Sequence, residues 1–315
     1  MKIRVFDSVK KLYTKEFLDI KVIKDKIKVL RSIIPKSYLK RTPILIYLVE
    51  YLKCDGTLSI IKRNNRSYKG ELIFVTTEIQ FRAKLKKLLE IQFPKIKICE
   101  RKDGLLISSL ALSTTLAKKF NVPVGKKEEF LCSNAKNNKE REMIIRAIID
   151  AEGNIDNYSG DIIVGNKSMT YLKSFAEVLR KLKIYPTLNL SKTKGYTYAY
   201  RLGIIRDSDV IRIKKIGLFN PRKQERLEEI EKSFKVYKQR NQLKNKIKKI
   251  LEKSPKTIRE ISEIIKISPF IVRRLLKTMK VEKIGRILIR NHIQILWSVS
   301  NLYPNRHLST GRKRK

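Results

Sequence analysis

Acidic side chains are scarce in this sequence: 30 Asp and Glu stand against 73 Lys and Arg in 315 residues, a formal net charge of +43. That shortage excludes the balanced ion-pair surface on which a thermophilic protein would spend its lysines. Uncompensated like charge strains a free protein, so a polyanion, nucleic acid, is the expected partner. Three cysteines (Cys54, Cys99, Cys132) and two histidines (His292, His307) offer no CxxC or HxxxH spacing, which excludes a zinc module. So sparse a cysteine count fits a reducing cytosol. The N-terminus has no apolar signal-peptide core, and no apolar run reaches the roughly 18 residues that span a bilayer. A soluble, cytoplasmic, nucleoid-associated protein is expected. Hydrophobic residues make up 42%, enough at this length for two or three compact domains.

What is present is a repeat. Residues 1–40 read as short basic helices, closed by Ile34-Pro35 and Arg41-Thr42-Pro43. From Pro43 an apolar helix (44–52) ends at Asp55-Gly56. Strands over 57–62 and 71–77, an amphipathic helix over 78–92, a hairpin over 95–109 and a helix over 112–120 follow. The order then recurs. A helix over 141–151 ends at Glu152-Gly153, followed by strands over 154–157 and 161–164, a helix over 169–183, a hairpin over 187–204 and a helix over 208–216. Two αββαββα copies about a hundred residues apart predict a duplicated α+β core with antiparallel sheets. The expected boundaries are repeat 1 over 41–125, repeat 2 over 126–230, a linker helix over 231–244, a helix-turn-helix region over 245–300 and a basic tail over 301–315.

The two unit-opening helices end alike: Leu48-Val49-Glu50-Tyr51-Leu52-Lys53-Cys54-Asp55-Gly56 and Ile145-Arg146-Ala147-Ile148-Ile149-Asp150-Ala151-Glu152-Gly153. Glycine at a helix end is ordinary, because it accepts a left-handed cap. An acid there faces the negative end of the helix dipole, and two at matching positions of a repeat ask for a cation between them. Both segments resemble the motif of LAGLIDADG homing endonucleases. The resemblance implies that the helices pack at a pseudo-twofold axis, where Asp55 and Glu152 act as catalytic, metal-binding carboxylates over DNA. It makes Cys54, Gly56, Ala151 and Gly153 helix-packing positions. Hard carboxylate oxygens suit Mg2+. Phe120-Asn121-Val122-Pro123-Val124-Gly125-Lys126-Lys127 resembles the family's ending of its first unit, and Gly217-Leu218-Phe219-Asn220-Pro221-Arg222-Lys223 its exit from the second. Two motif positions depart: Glu50 stands where glycine is common, which predicts a place at the seam's edge, and Lys53 would crowd the metal or reach a phosphate.

By position the resemblance also places Thr77, Asn166, Lys167 and Arg206 around the scissile phosphates. Strand alternation turns Lys95, Lys97 and Arg101 of the first repeat, and Asn189, Ser191, Thr197 and Arg201 of the second, onto a polar face able to enter a major groove. Past the repeats, Thr257 is placed to cap a helix over 257–265. A second helix opens at Ser268-Pro269 and carries Arg273, Arg274 and Lys277, as in a DNA-reading helix-turn-helix, with a wing-like hairpin over 281–298. The sequence thus leads to a site-specific, Mg2+-dependent double-strand DNA endonuclease acting as a monomer and free-standing rather than within an intein. A non-cleaving DNA-binding regulator on the same fold and an RNA-splicing maturase, with intron RNA as partner, stay open as alternatives.

Overall fold

The Thr42 hydroxyl accepts the Leu45 N–H at 3.0 Å and Pro43 occupies the first turn, and together they start helix α1 (Pro43–Cys54). The computed structural model describes residues 3–64, 67–125, 127, 129–156, 160–189, 200–237, 240–279, 281–289 and 292–299. They fall into two units, Met1–Ile155 with Ile162–Glu225, and Asp156–Asp161 with Arg226–Lys315. The architecture is α+β.

In the first unit, strands β1 (Ile3–Asp7), β2 (Leu12–Glu16), β3 (Lys21–Ile23), β4 (Lys26–Val29) and β5 (Ser32–Pro35) precede a 3-10 turn, Lys36–Leu39. Residues 3–35 are therefore strands and not the basic helices expected. Ile3 and Val5 are buried while Arg4 and Phe6 are half-exposed, an alternation of period two. Lys11, Lys24 and Leu30 take positive φ of 52–53° at tight turns that no helix can follow.

After α1 come β6 (Gly56–Asn64), β7 (Ser67–Val75), α2 (Ile79–Gln92), β8 (Ile98–Arg101), β9 (Gly104–Ser108) and α3 (Leu110–Phe120). The second repeat runs α4 (Asn138–Glu152), β10 (Gly153–Ile155), β11 (Ile162–Asn166), α5 (Met169–Lys181), β12 (Thr187–Asn189), β13 (Tyr200–Ile204) and α6 (Asp207–Ile216). The first sheet has the order β2-β1-β6-β7-β9-β8 and the second β10-β11-β13-β12; within them only β1 and β6 pair in parallel. The inward residues Val5, Leu58, Ile60, Leu72, Phe74, Leu105 and Ile107 are almost fully buried in a core they share with α1, α2 and α3. Helices α1 and α4 pack against one another, which brings the two repeats' acid-bearing ends together.

Helix α7 (Pro221–Tyr237) leads out of the repeats. The second unit holds α8 (Arg240–Lys253), β14 (Lys256–Thr257), α9 (Ile258–Ile265), α10 (Pro269–Lys277), β15 (Val281–Ile289) and β16 (His292–Val299). Thr257 and Glu260 form a reciprocal capping box at the start of α9, and Lys266 turns left-handed to end it. Its core comprises Leu243, Ile247, Leu251, Ile261, Phe270, Ile271, Leu275, Leu276 and Trp297. The strands form an antiparallel sheet ordered β14-β16-β15.

Candidate active site at the motif helix ends

Asp55 is the C-cap of α1 and Glu152 the last residue of α4. Both glycines that follow are required by space, and not by the left-handed cap expected. Gly153 has φ −72°, and a Cβ on Gly56 would lie 2.6 Å from Leu52 Cα. The chain leaves each helix for a strand so tightly that no side chain fits.

The two acids belong to one electrostatic site. Burial, and then the Asp55 charge, push the Glu152 carboxyl up to about 7. Burial also raises Asp55, against the pull of Lys223 and Lys127. Glu152 accepts a hydrogen bond from Asn166 Nδ2 at 3.3 Å, and Asn166 Oδ1 in turn accepts the Ser168 N–H, which fixes the amide. Beside them opens a cavity of ≈ 630 Å³, lined by Cys54, Lys127, Glu152, Asn166 and Lys167 among others.

Two lysines complete the site, and sequence reasoning missed both. Lys127 Nζ donates to the Cys54 carbonyl at the end of α1. Lys223 Nζ donates to the carbonyls of Ile149, Asp150 and Ala151 at 2.9, 2.6 and 3.3 Å, closing the end of α4. Ammonium groups there satisfy carbonyls that have no intrahelical partner and oppose the helix dipole. Burial lowers both lysines while neighbouring carboxylates hold them up. A signal was available: Lys127 lies 73 residues beyond Cys54 and Lys223 lies 72 beyond Ala151, so they are equivalent positions of the repeat.

The departing motif residues are structural. Glu50 is fully buried rather than at the seam's edge. Its carboxylate accepts the Ser133 N–H at 3.0 Å and the Tyr171 hydroxyl at 2.9 Å, with Lys53 Nζ at 3.8 Å. Lys53 points away from the acids and donates to the Leu131 carbonyl at 3.1 Å and to Ser133 Oγ at 3.0 Å. Both hold the segment joining the repeats. Because the Tyr171 proton is committed to Glu50, the Cys54 thiol, 2.8 Å away, donates to the phenol oxygen. On α4, Asp150 does comparable work. It accepts Tyr47 OH at 2.8 Å and the N–H groups of Phe219 and Asn220 at 3.1 Å, while burial lifts it to about 6.

Of the peripheral positions, Asn166 and Lys167 line the site. Thr77 is exposed after β7. Arg206 caps α6 by position and its guanidinium lies 5.7 Å from the Tyr185 ring centre, with no contact to the acids. Lys95, Lys97 and Arg101 are exposed, but only Arg101 is on a strand, 3.6 Å from Asp103; Lys95, at φ 72°, and Lys97 lie in the turn before β8 and not on the alternating strand face expected. Asn189 and Arg201 are register partners on the second sheet. Ser191 and Thr197 lie outside the described residues. Arg273 and Lys277 are exposed on α10, and Arg274 stacks 5.3 Å from the Phe270 ring centre.

Residues 139–217, from the start of α4 to just past α6, match a family model described as a LAGLIDADG-like domain. No curated protein matches the chain. Among solved structures, it is similar to I-DmoI in complex with DNA and Ca (21% identity, 55% of this chain and 87% of that one, TM-score 0.42). It is also similar to I-DmoI in complex with DNA and Mn (19% identity, 55% and 95%, TM-score 0.41). Full-length DUF199/WhiA from Thermatoga maritima aligns at 14% identity over 77% of this chain and 93% of that one, with a TM-score of 0.37. The matched segment carries Glu152 at the end of α4, whereas Asp55, Lys127 and Lys223 lie outside it. Among the described residues no helix is long and apolar enough to cross a membrane, and no cluster of three or more His, Cys, Asp or Glu could hold a metal.

Proposed function

We propose that this chain is a site-specific, Mg2+-dependent double-strand DNA endonuclease whose two halves are supplied by one polypeptide acting as a monomer. The observation that carries this reading is the convergence of Asp55 and Glu152, one from each repeat, in a single half-buried site. Two buried carboxylates, with the Asp55 charge raising Glu152 and the same two lysines pulling on both, form a hard-oxygen donor set. That set fits Mg2+, which is commonly held by one or two carboxylates plus phosphate. When bound, such an ion supplies Lewis-acid stabilisation of a phosphodiester under attack.

The chain's own groups do the rest. Asp55 and Glu152 would hold the ion, and Asn166 orients Glu152. Lys127 and Lys223 temper the repulsion between the acids and keep the helix ends closed. Lys167, exposed at the cavity mouth, is placed to meet a phosphate. Arg101 on one sheet with Lys95 and Lys97 in the turn before it, and Asn189 and Arg201 on the other sheet, would contact the duplex on either side. In the second unit, α9 and α10 with the β15–β16 hairpin have the order of a winged helix-turn-helix, and Arg273, Arg274 and Lys277 would face DNA.

The test is selection of bound duplexes from a randomised library, followed by incubation with and without Mg2+. Wild type should cut a selected duplex only with Mg2+, and Asp55→Asn should bind it but not cut. Binding without cleavage by wild type would sink the nuclease reading. It would favour a non-cleaving DNA-binding regulator, a reading with its own support: Lys127 and Lys223 already counter the acids' charge without a metal.

A further inference from the structure

The two repeats differ in one respect that the active site does not use. The first repeat's sheet has six strands and the second's has four among the described residues, because β1 and β2 add a hairpin to the edge of β6. The hairpin is joined in register, with Phe6 opposite Ile61 and Asp7 opposite Lys62. Its turn is tied down as well: the Ser8 N–H and hydroxyl both donate to the Lys62 carbonyl, at 3.0 and 2.7 Å.

The register sorts its side chains. Ile3, Val5 and Asp7, with their partners Glu16, Thr14 and Leu12, share the parity of the inward residues of β6. Both acids of the hairpin lie on this side and are spent internally. Asp7 accepts the Val9 and Lys10 N–H groups at 3.0 and 3.1 Å, and Glu16 pairs with Lys62 at 2.9 Å. The other face carries Arg4, Phe6, Tyr13 and Lys15, with the Arg4 guanidinium 4.3 Å from the Tyr13 ring centre and Phe6 edge-on at 5.3 Å. That face has two cations, two rings and no acid. Lys10 and Lys11 are exposed in the turn beside it. It continues the outward face of β6 and β7, on which Thr57, Ser59 and the ion pair Lys69–Glu71 lie.

We infer that the β1–β2 hairpin is a phosphate-contacting extension of the first repeat's sheet, so that the protein grips double-stranded DNA more extensively on one side of its site than on the other. The excess of positive charge at Lys10, Lys11, Lys15 and Arg4 suits the duplex backbone, and the Tyr13 ring lies against the Arg4 guanidinium. The inference rests on the DNA-binding reading above and adds an asymmetry which that reading does not require. A second copy of this chain, pairing with the edge strand β2, is the competing occupant.

The experiment uses the full chain and a duplex that wild type selects from a randomised library. Phosphate contacts are mapped by ethylation interference, affinity is followed against salt, and oligomeric state is measured by sedimentation. Arg4→Gln/Lys15→Gln should lose contacts on one flank only and weaken binding about tenfold, with the salt slope falling by roughly 0.9 for each phosphate released. Lys10→Gln/Lys11→Gln, confined to the exposed turn, should lose contacts on the same flank and keeps the test valid if the first variant misfolds. An unchanged map and slope, equal losses on both flanks, or a change from dimer to monomer overturns the inference. Absence of any selected duplex for wild type defeats the DNA-binding reading itself and is seen before a variant is made.

Discussion

Glu50 on α1 and Tyr171 on α5 share a 2.9 Å hydrogen bond across 121 positions of sequence, and both side chains are completely buried. The bond ties the first motif helix to the second repeat. With the Ser133 N–H and Lys53 it forms a closed polar cluster in which each charge has a partner.

Breaking that cluster on one side should be expensive. Glu50→Ala leaves the Lys53 ammonium and the Ser133 N–H buried with less to bind, and a loss of about 3–5 kcal/mol is expected. Replacing both charges, Glu50→Met with Lys53→Met, should cost less than the single change. Urea denaturation of the full chain measures both, and a Glu50→Ala cost under about 1 kcal/mol would falsify the clamp.

The raised pKa of Glu152 fixes the sign of a pH effect. The folded state holds its proton up to about 7, whereas an unfolded glutamate releases it near 4.5. Folded protein thus binds more protons between those values, and metal-free stability should fall as pH rises from about 5 to 8. Glu152→Gln should flatten the curve above about pH 6, while Asp150, itself lifted to about 6, keeps the slope below it. Thermal melts in a chelator across this window decide it, and a slope above about pH 6 that survives in Glu152→Gln assigns the effect elsewhere.

Lys223→Met removes a cap and a counterion together. Metal-free stability should drop by about 1–2 kcal/mol through the exposed α4 carbonyls. Mn2+ should bind several-fold more tightly, because the acids have lost a competing cation. Calorimetric titration reads the second effect, and weaker Mn2+ binding would show that Lys223 helps build the site instead of balancing it.

Gly56→Ala should damage the first repeat although the new group is a single methyl. Its Cβ would stand 2.6 Å from Leu52 Cα and 3.0 Å from the Ile73 carbonyl oxygen, so α1 and β7 must separate. A loss of about 2 kcal/mol or more is expected. Gly203→Ala meets only the flexible Thr187 side chain and Ile205 within 4 Å, and serves as the mild control in the same melts.

The duplicated order of helices and strands was legible because each signal is local: an apolar helix, an acid, a glycine, then alternation. The first 40 residues were not, since strands of three to five residues rich in lysine carry too few turns of period to separate from helix. Glu50 and Lys53 read as misfits on their own helix because their partners lie about 80 or more positions away. Lys127 and Lys223 were hidden by abundance, two cations among 73. Only the folded chain separates a lysine that closes a helix from one that coats a surface.

The parallel pairing of β1 with β6 also constrains how the first repeat is made. Strand β1 cannot find its neighbour until roughly 50 further residues have been synthesised and α1 has formed. Closing so long a loop is slow compared with zipping the adjacent β6–β7 hairpin. The sheet should therefore be completed from its middle outward, with the N-terminal hairpin docking last and leaving first when the protein is warmed.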